Sequence, residues 1–228
     1  LIIGDSHWDG TNLERNTKSA LEAQGAEVRT LTKGGTGLAA KANYYGISPT
    51  SDNGHVRRTQ VGNITATATG LLGNMLNTFA PNLVIIGLAS NDIWLYGDHK
   101  TDYQTLMTSW LQLFKDAGVT EVRWLGTPYI AKPQNETRKV KIRSYQKEHL
   151  RTSPVSGLQT SYTEMTPLTK DLPFVSDNAH FTSAGYSTWS QRLLTSSGPF
   201  GDLLAATGGR RVQYSVPISA VRVTSRPP

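Results

Sequence analysis

The chain has 228 residues, 37% of them hydrophobic, with no cysteine and a formal net charge of +6. That length suits one well-buried domain with a small addition. The lack of cysteine excludes disulfides, thiolate zinc sites and a cysteine nucleophile. No apolar run approaches the roughly 18 residues that span a bilayer, and the basic residues form no dense patch of the kind that binds nucleic acid. We therefore expect a globular chain with neither a transmembrane segment nor a nucleic-acid partner.

Strands and helices are predicted to alternate along the sequence. In chain order, the apolar patterns predict a strand at residues 1–4, a helix at 12–24, a strand at 27–31, a helix at 64–79, a strand at 83–88, a helix at 101–117, a strand at 121–125, a helix at 135–151, a strand at 158–162 and a helix at 183–195. This alternation predicts a three-layer α/β/α sandwich around a central, mainly parallel sheet of about five strands. Because the first residue already lies in a strand, we expect that something upstream was removed.

Two stretches do not fit the alternation. Residues 41–61 are irregular and predict a long surface loop or a lid over the sheet edge, and long loops in compact domains are often functional. After residues 208–209, both glycine, the composition changes. We therefore assign residues 1–207 to one domain and residues 208–228 to a C-terminal extension or linker, and the chain could belong to a larger protein or assembly.

Four groups of residues lie where the predicted strands end or just before the last predicted helix. They are Ser6, the glycine-rich turn at residues 34–37, Asn91, and the pair Asp177 and His180. Loops at the carboxyl edge of a parallel sheet converge in space, so these groups can meet. Alone, each has a plain structural explanation as a turn, a helix cap or a surface histidine.

Together, the four groups supply the parts of a serine hydrolase. Ser6 would attack an acyl carbon, and His180 would take its proton and later return one. Asp177 would orient the imidazole and stabilise its charged form. The backbone N–H groups of Ser6 and of a turn glycine, with the side-chain amide of Asn91, would bind the developing oxyanion, and one such donor is typically worth about 2.7–4 kcal/mol of barrier.

These residues resemble, in order and spacing, the four sequence blocks of the SGNH, or GDSL-type, serine hydrolases. The resemblance covers about residues 1–196 and implies a flavodoxin-like sheet, a catalytic domain at residues 1–207 and ester hydrolysis without a cofactor. It implies that Ser6, Asp177 and His180 are the catalytic triad. It also implies that the oxyanion hole is formed by Ser6, Gly34 and Asn91.

Three positions bear on how closely the family pattern is followed. Thr32 stands where the family has asparagine before the glycine turn, and Gly35 is a register alternative to Gly34 as the oxyanion donor. Ala89 stands where the family has glycine before the Asn-Asp pair, and alanine tolerates positive φ poorly. The glycine turn and the Asn91 loop are thus the places where this chain departs from the pattern.

Aromatic residues next to the four groups are candidates for substrate contact. Trp8, Trp94 and Tyr96 are adjacent in sequence to the serine and the asparagine and could stack on a sugar, with packing around the cleft as the alternative. His7 is too close in sequence to Ser6 to act as its base, so we expect it at the surface or against substrate. The remaining histidines have no acidic partner at metal-ligand spacing, so no metal site is expected.

The sequence predicts a serine esterase for small acyl esters, most simply acetyl esters on a carbohydrate or cell-surface polysaccharide. The alternatives are a lipase, lysophospholipase or thioesterase of the same family, acyl transfer to a sugar, and a non-catalytic module of a surface or virion tail assembly. An extracellular, periplasmic or surface-associated location is favoured over a cytoplasmic one. The expected partner is an acylated carbohydrate or another small ester.

Overall fold

The computed structural model describes residues 1–205 of the chain. Its strands are β1 (Ile2–Gly4), β2 (Thr30–Thr32), β3 (Ile47–Ser48), β4 (Thr65–Ala66), β5 (Leu83–Gly87), β6 (Glu121–Leu125) and β7 (Gln159–Thr163). Its α-helices are α1 (Asn12–Ala23), α2 (Leu71–Phe79), α3 (Ile93–Tyr96), α4 (Lys100–Asp116), α5 (Pro133–Leu150), α6 (Thr166–Thr169), α7 (Ser183–Leu194) and α8 (Gly201–Ala205). Within that part of the chain, no helix is both long and apolar enough to cross a bilayer.

The central sheet has the strand order β2-β1-β5-β6-β7, and each neighbouring pair in it is parallel. After β1, the chain adds β2 on one side of β1 and later adds β5 on the other side of β1. Ligands in open α/β sheets bind at such a reversal, outside the carboxyl ends of the strands. The reversal therefore marks the edge beyond β1 and β5, the strands that Ser6 and Asn91 follow.

Side chains on the two faces of the sheet enter two different hydrophobic cores. Ile3 and Ile86 pack with residues of α4 and α5 on one face, whereas Ile2 and Ile85 pack with residues of α1 and α7 on the other. Successive strand residues point to opposite faces, so a short apolar run supplies both cores. The predicted three-layer α/β/α sandwich with a parallel sheet of five strands is confirmed.

Residues 41–61 form a mostly irregular segment that is anchored by a few buried side chains. Tyr45, Val56 and Val61 are buried in the core that covers one face of the sheet. In this region β3 forms an antiparallel pair with β4, which lies beyond it along the chain. Most of residues 41–61 lie at or near the surface, as expected of a surface loop, but the buried apolar side chains anchor the segment in the core instead of leaving it as a lid over the sheet edge.

Other element boundaries differ from the predictions in understandable ways. The strand predicted at 27–31 is observed as Thr30–Thr32, and the helix predicted at 64–79 begins only at Leu71, because part of its predicted start forms β4 and Gly70 is the N-cap. Helices α3, α6 and α8 were not predicted. The predicted extension at 208–228 lies outside the described residues.

Candidate active site

The loop after β1 presents Ser6 on a tight turn. The N–H groups of Trp8 and Asp9 both donate to the carbonyl of Asp5, at 3.0 Å each. Gly4 is needed before this turn because a Cβ there would lie 2.4 Å from the Trp8 ring. The strand can therefore end directly above the indole, and Ser6 remains partly exposed at the sheet edge.

Ser6, His180 and Asp177 form a continuous hydrogen-bonded chain. The distance from Ser6 Oγ to His180 Nε2 is 2.8 Å, and that from His180 Nδ1 to Asp177 Oδ2 is 2.5 Å. A carboxylate can only accept, so Nδ1 carries the proton and Nε2 accepts from the Ser6 hydroxyl. The structure thus brings the three predicted residues together from segments that are more than 170 positions apart.

A compact loop before α7 holds the Asp177 and His180 side chains. The N–H of Val175 donates to the carbonyl of His180 at 2.9 Å. Between Asp177 and His180, Asn178 adopts a left-handed backbone with a φ of +54°. Thr182 then caps α7 by accepting the N–H of Gly185. The helix start therefore fixes the position of His180, two residues before the cap.

The surroundings of Asp177 keep its carboxylate charged. Partial burial acts to raise its pKa, but the hydrogen bond from the His180 ring and those from the backbone N–H groups of His180 and Ala179 hold the pKa well below its usual value. The exposed fractions of the His180 and Asp177 side chains are 40% and 43%. A negative charge thus faces Nδ1 in an open, solvent-accessible site.

The predicted oxyanion donor Gly34 lies against the serine but is engaged by another residue. A Cβ placed on Gly34 would lie 3.7 Å from the Ser6 Cβ. The Gly34 N–H donates to the Asp9 carboxylate at 2.9 Å. The register alternative, Gly35, has a φ of +79°, which explains why a glycine stands there. Asp9 must therefore move away before Gly34 can donate to a bound oxygen.

Asn91 lies in contact with the glycine turn. Its Nδ2 donates to the carbonyl of Thr36 at 2.7 Å. A side-chain amide has two donor hydrogens, so the same group can also donate to a bound oxygen. Ala89, two residues before Asn91, has a φ of +104°. This is the strained backbone expected when alanine replaces the glycine of the family pattern.

Asp92 joins the Asn91 loop to the segment that follows the glycine turn, a role that sequence reasoning missed. Its fully buried carboxylate accepts the N–H groups of Leu38, Ala39 and Ala40 at 2.8, 3.1 and 2.9 Å. Burial raises its pKa, and these three donors oppose the rise. A Cβ on Gly37 would lie 2.4 Å from an Asp92 oxygen, so only glycine fits there. The only available signal was its position beside Asn91.

His7 is buried rather than at the surface or in a substrate contact. Its Nδ1 lies 3.3 Å from the Tyr186 hydroxyl, and its ring centroid is 5.3 Å from that of His180. Burial, followed by the nearby charges of Lys139 and His180, lowers the pKa of His7 well below its usual value. The expectation for His7 is therefore wrong: it is a neutral packing residue beneath the site.

The three candidate aromatic residues have different environments. Trp8 and Tyr96 are buried, and the Tyr96 hydroxyl donates to the carbonyl of Val56. The predicted substrate contact is corrected to packing for both, because neither ring reaches solvent. Trp94 is 59% exposed, with the guanidinium carbon of Arg138 at 4.4 Å from its ring centroid. Only Trp94 of the three is available to a ligand.

Comparison with solved structures identifies the fold. The chain resembles a family two carbohydrate esterase from Cellvibrio japonicus at a TM-score of 0.59 and 15% identity, with 90% of this chain and 61% of that one covered. It also resembles TesA, with a TM-score of 0.56 and 16% sequence identity. That match covers 89% of this chain and 98% of TesA. A third similar structure is that of an acetyl esterase variant with an acetate ion, with a TM-score of 0.55 and 12% sequence identity. That match covers 90% of this chain and 97% of the other.

The chain has the SGNH hydrolase fold. It spans 61% of the length of the carbohydrate esterase. Neither a protein-family model nor a curated protein sequence matches the chain. Within residues 1–205 of this SGNH-type fold, no group of three histidine or acidic side chains is arranged to hold a metal ion.

Proposed function

We propose that this protein is a carboxylic-ester hydrolase in which Ser6 is the nucleophile, His180 the general base and acid, and Asp177 the residue that orients and stabilises the imidazole. The observation that carries the proposal is the chain of two hydrogen bonds, 2.8 Å and 2.5 Å long, that joins these side chains. It lies at the sheet edge where α/β folds bind ligands. The fold neighbours include esterases, which supports the same chemistry.

The proposed reaction has two balanced halves. Ser6 Oγ bonds to the ester carbonyl carbon as its proton passes to His180 Nε2, and the resulting tetrahedral oxyanion then expels the alcohol, which takes that proton. Water next gives a proton to Nε2 as its oxygen attacks the acyl-serine. Collapse of the second intermediate releases the acid and returns the proton to Ser6. The charged Asp177 carboxylate stabilises the imidazolium in both halves.

The proposed oxyanion donors are the N–H groups of Ser6 and Gly34 and the amide of Asn91. Each would act where negative charge develops in the transition state rather than on the substrate carbonyl. The Asp92 hydrogen bonds to residues 38–40 and the Asn91 hydrogen bond to Thr36 hold the Asn91 loop beside the glycine turn and the segment that follows it. Gly34 donates only after Asp9 releases it.

The proposed substrate is an acetyl ester on a carbohydrate or cell-surface polysaccharide. The exposed triad side chains leave room for a large alcohol group, and the exposed ring of Trp94 suits a sugar face. A family two carbohydrate esterase and an acetyl esterase among the fold neighbours support this substrate class. An enzyme for surface polysaccharide would act outside the cytoplasm, which is part of the same proposal.

Rates on nitrophenyl esters with acyl chains of two to sixteen carbons test the proposal. We expect acetate to be the preferred acyl group, Ser6→Ala to abolish turnover, and the exposed matched control Ser196→Ala to leave it unchanged. A preference for long chains would replace the acetylesterase with a lipase or thioesterase. Activity that survives in Ser6→Ala would refute the triad, and an esterified sugar formed with an acceptor present would indicate acyl transfer.

A further inference from the structure

Lys139 is a buried cation beneath the proposed active site. It belongs to α5, yet its relative exposure is only 2%. Its Nζ lies 3.4 Å from the carbonyl oxygen of Pro128 and 3.5 Å from the Ser90 hydroxyl. Lysine is almost never fully buried unless it is paired. The position therefore needs an explanation other than chance packing of a helix.

Two carboxylates offset the cost of burying this cation. Burial lowers the pKa of Lys139 to about 8, while the charges of Asp5 and Glu136 oppose that decrease and Arg143 adds to it. Asp5 is itself 1% exposed, and burial raises its pKa to about 6 against the opposing effects of the His7 N–H, Lys139 and Ser90. The opposite charges of Lys139 and Asp5 thus each favour the charged form of the other group, but this is an effect through space, since Asp5 Oδ2 has no hydrogen-bond partner among the described residues.

The surroundings of Lys139 include residues next to the proposed chemistry. Asp5 immediately precedes Ser6, and Ser90 immediately precedes Asn91. Pro128 follows β6, the next strand of the sheet. The ammonium group therefore contacts the loops of Ser90 and Pro128, and these two residues line one small cavity together with Asp5, which precedes the proposed nucleophile.

We propose that Lys139 is a positioning residue that holds the loops bearing Ser6 and Asn91 at their reactive separation. The proposal rests on the ester hydrolysis proposed above. Lys139 does not touch substrate, so its loss acts through the loops. A displacement of about 1 Å of a reacting group can cost roughly 100-fold in rate. Replacing the lysine is therefore expected to lower kcat by roughly 10- to 100-fold with little change in KM.

The lack of cysteine in the chain permits a direct test of the ammonium group. In Lys139→Cys, alkylation with bromoethylamine in denaturant followed by refolding restores a side chain of lysine length with an amino group. Alkylation with iodoacetamide gives a neutral side chain instead. Wild-type protein taken through the same steps is the refolding control. The exposed neighbour Lys141, which pairs with Asp98 at the surface, supplies the matched variant Lys141→Cys.

The readout is kcat per active site titrated with a serine-reactive fluorophosphonate, which counts only folded, competent molecules. We expect the neutral adduct and Lys139→Met to be slow per titrated site, the aminoethyl adduct to recover most of kcat, and every Lys141 variant to match wild type. Equal kcat values for the two adducts, or a wild-type kcat per site in Lys139→Met, would overturn the positioning role even if thermal stability falls.

The same experiment separates this inference from the proposed function. If Ser6→Ala retains activity or labelling, the ester-hydrolase mechanism itself fails. If Ser6→Ala is inactive and unlabelled while Lys139→Met turns over normally, only the role of Lys139 is wrong. If Lys139→Met does not fold, the comparison of the two refolded Lys139→Cys adducts decides the question, because only one of them carries a charged amino group.

Discussion

Replacing Asp9 with alanine is expected to raise activity, because this carboxylate occupies a backbone donor that the proposed reaction needs. Asp9 accepts the N–H of Gly34 at 2.9 Å, and Gly34 lies against Ser6. The substrate oxyanion and the Asp9 carboxylate therefore compete for one hydrogen. In Asp9→Ala the competitor is gone and the N–H is free before the substrate arrives.

The size of the effect follows from the exposure of this contact. Asp9 is exposed, so its hydrogen bond to Gly34 contributes a net free energy of about 1 kcal/mol rather than the larger value of a buried charged pair. Removing a competitor of that strength raises kcat/KM about fivefold, since about 1.4 kcal/mol corresponds to a factor of ten. The bond also ties the Ser6 turn to the glycine turn, so Tm should fall by about 2–4 °C.

The assay is kcat/KM for nitrophenyl acetate, together with a thermal melt. Asp9→Asn is the matched control, because its amide oxygen can still accept the Gly34 N–H, and it should stay near wild type. A kcat/KM for Asp9→Ala that is unchanged or lower would refute Gly34 as an oxyanion donor blocked by Asp9. An equal rise in Asp9→Asn would attribute the effect to charge instead of to competition for the hydrogen.

Three further predictions concern the triad, the loop junction and the buried histidine. Asp177→Asn should lower kcat by roughly 10⁴-fold, because it favours the wrong imidazole tautomer; steady-state kinetics measure this, and a loss under tenfold would contradict the role. Asp92→Asn keeps one acceptor oxygen but turns an NH2 donor toward at least one of the three N–H groups that Asp92 accepts, and it should lower the free energy of unfolding by about 1–3 kcal/mol in urea titrations; an unchanged midpoint would count against it. Because burial lowers the pKa of His7, the folded state binds fewer protons than the unfolded state, and stability falls as pH drops below about 6.5. Comparing wild type with His7→Gln by urea unfolding at pH 7 and pH 5 should show a smaller loss in the variant, and equal losses would mean that His7 is not responsible.

The sheet and the residues at its edge were predictable because their signals are local. A short apolar run that ends in a turn residue can be recognised in the sequence. In a parallel sheet, the turns that follow the strands all lie at the carboxyl edge. Ser6, Asn91, Asp177 and His180 could therefore be singled out without coordinates. The structure adds the distances that join Ser6, His180 and Asp177.

The direction and burial of individual side chains depended on tertiary packing. Trp8 and His7 are beside the serine in sequence, yet both are buried beneath the site, since a tight turn sends adjacent side chains in different directions. Residues 41–61 contain the polar and glycine residues typical of a loop, while their few apolar side chains complete a core that only the folded sheet presents.

The sequence by itself determined the layered α/β fold and the four groups of residues at one sheet edge, because hydrophobic periodicity and turn chemistry act over a few neighbouring residues. Only the tertiary structure decided that one donor of the proposed oxyanion hole, the Gly34 N–H, is already bound, by the carboxylate of Asp9. It also decided that Lys139 is buried among loops distant in sequence. Such electrostatic contacts depend on distances between segments, which no local pattern encodes.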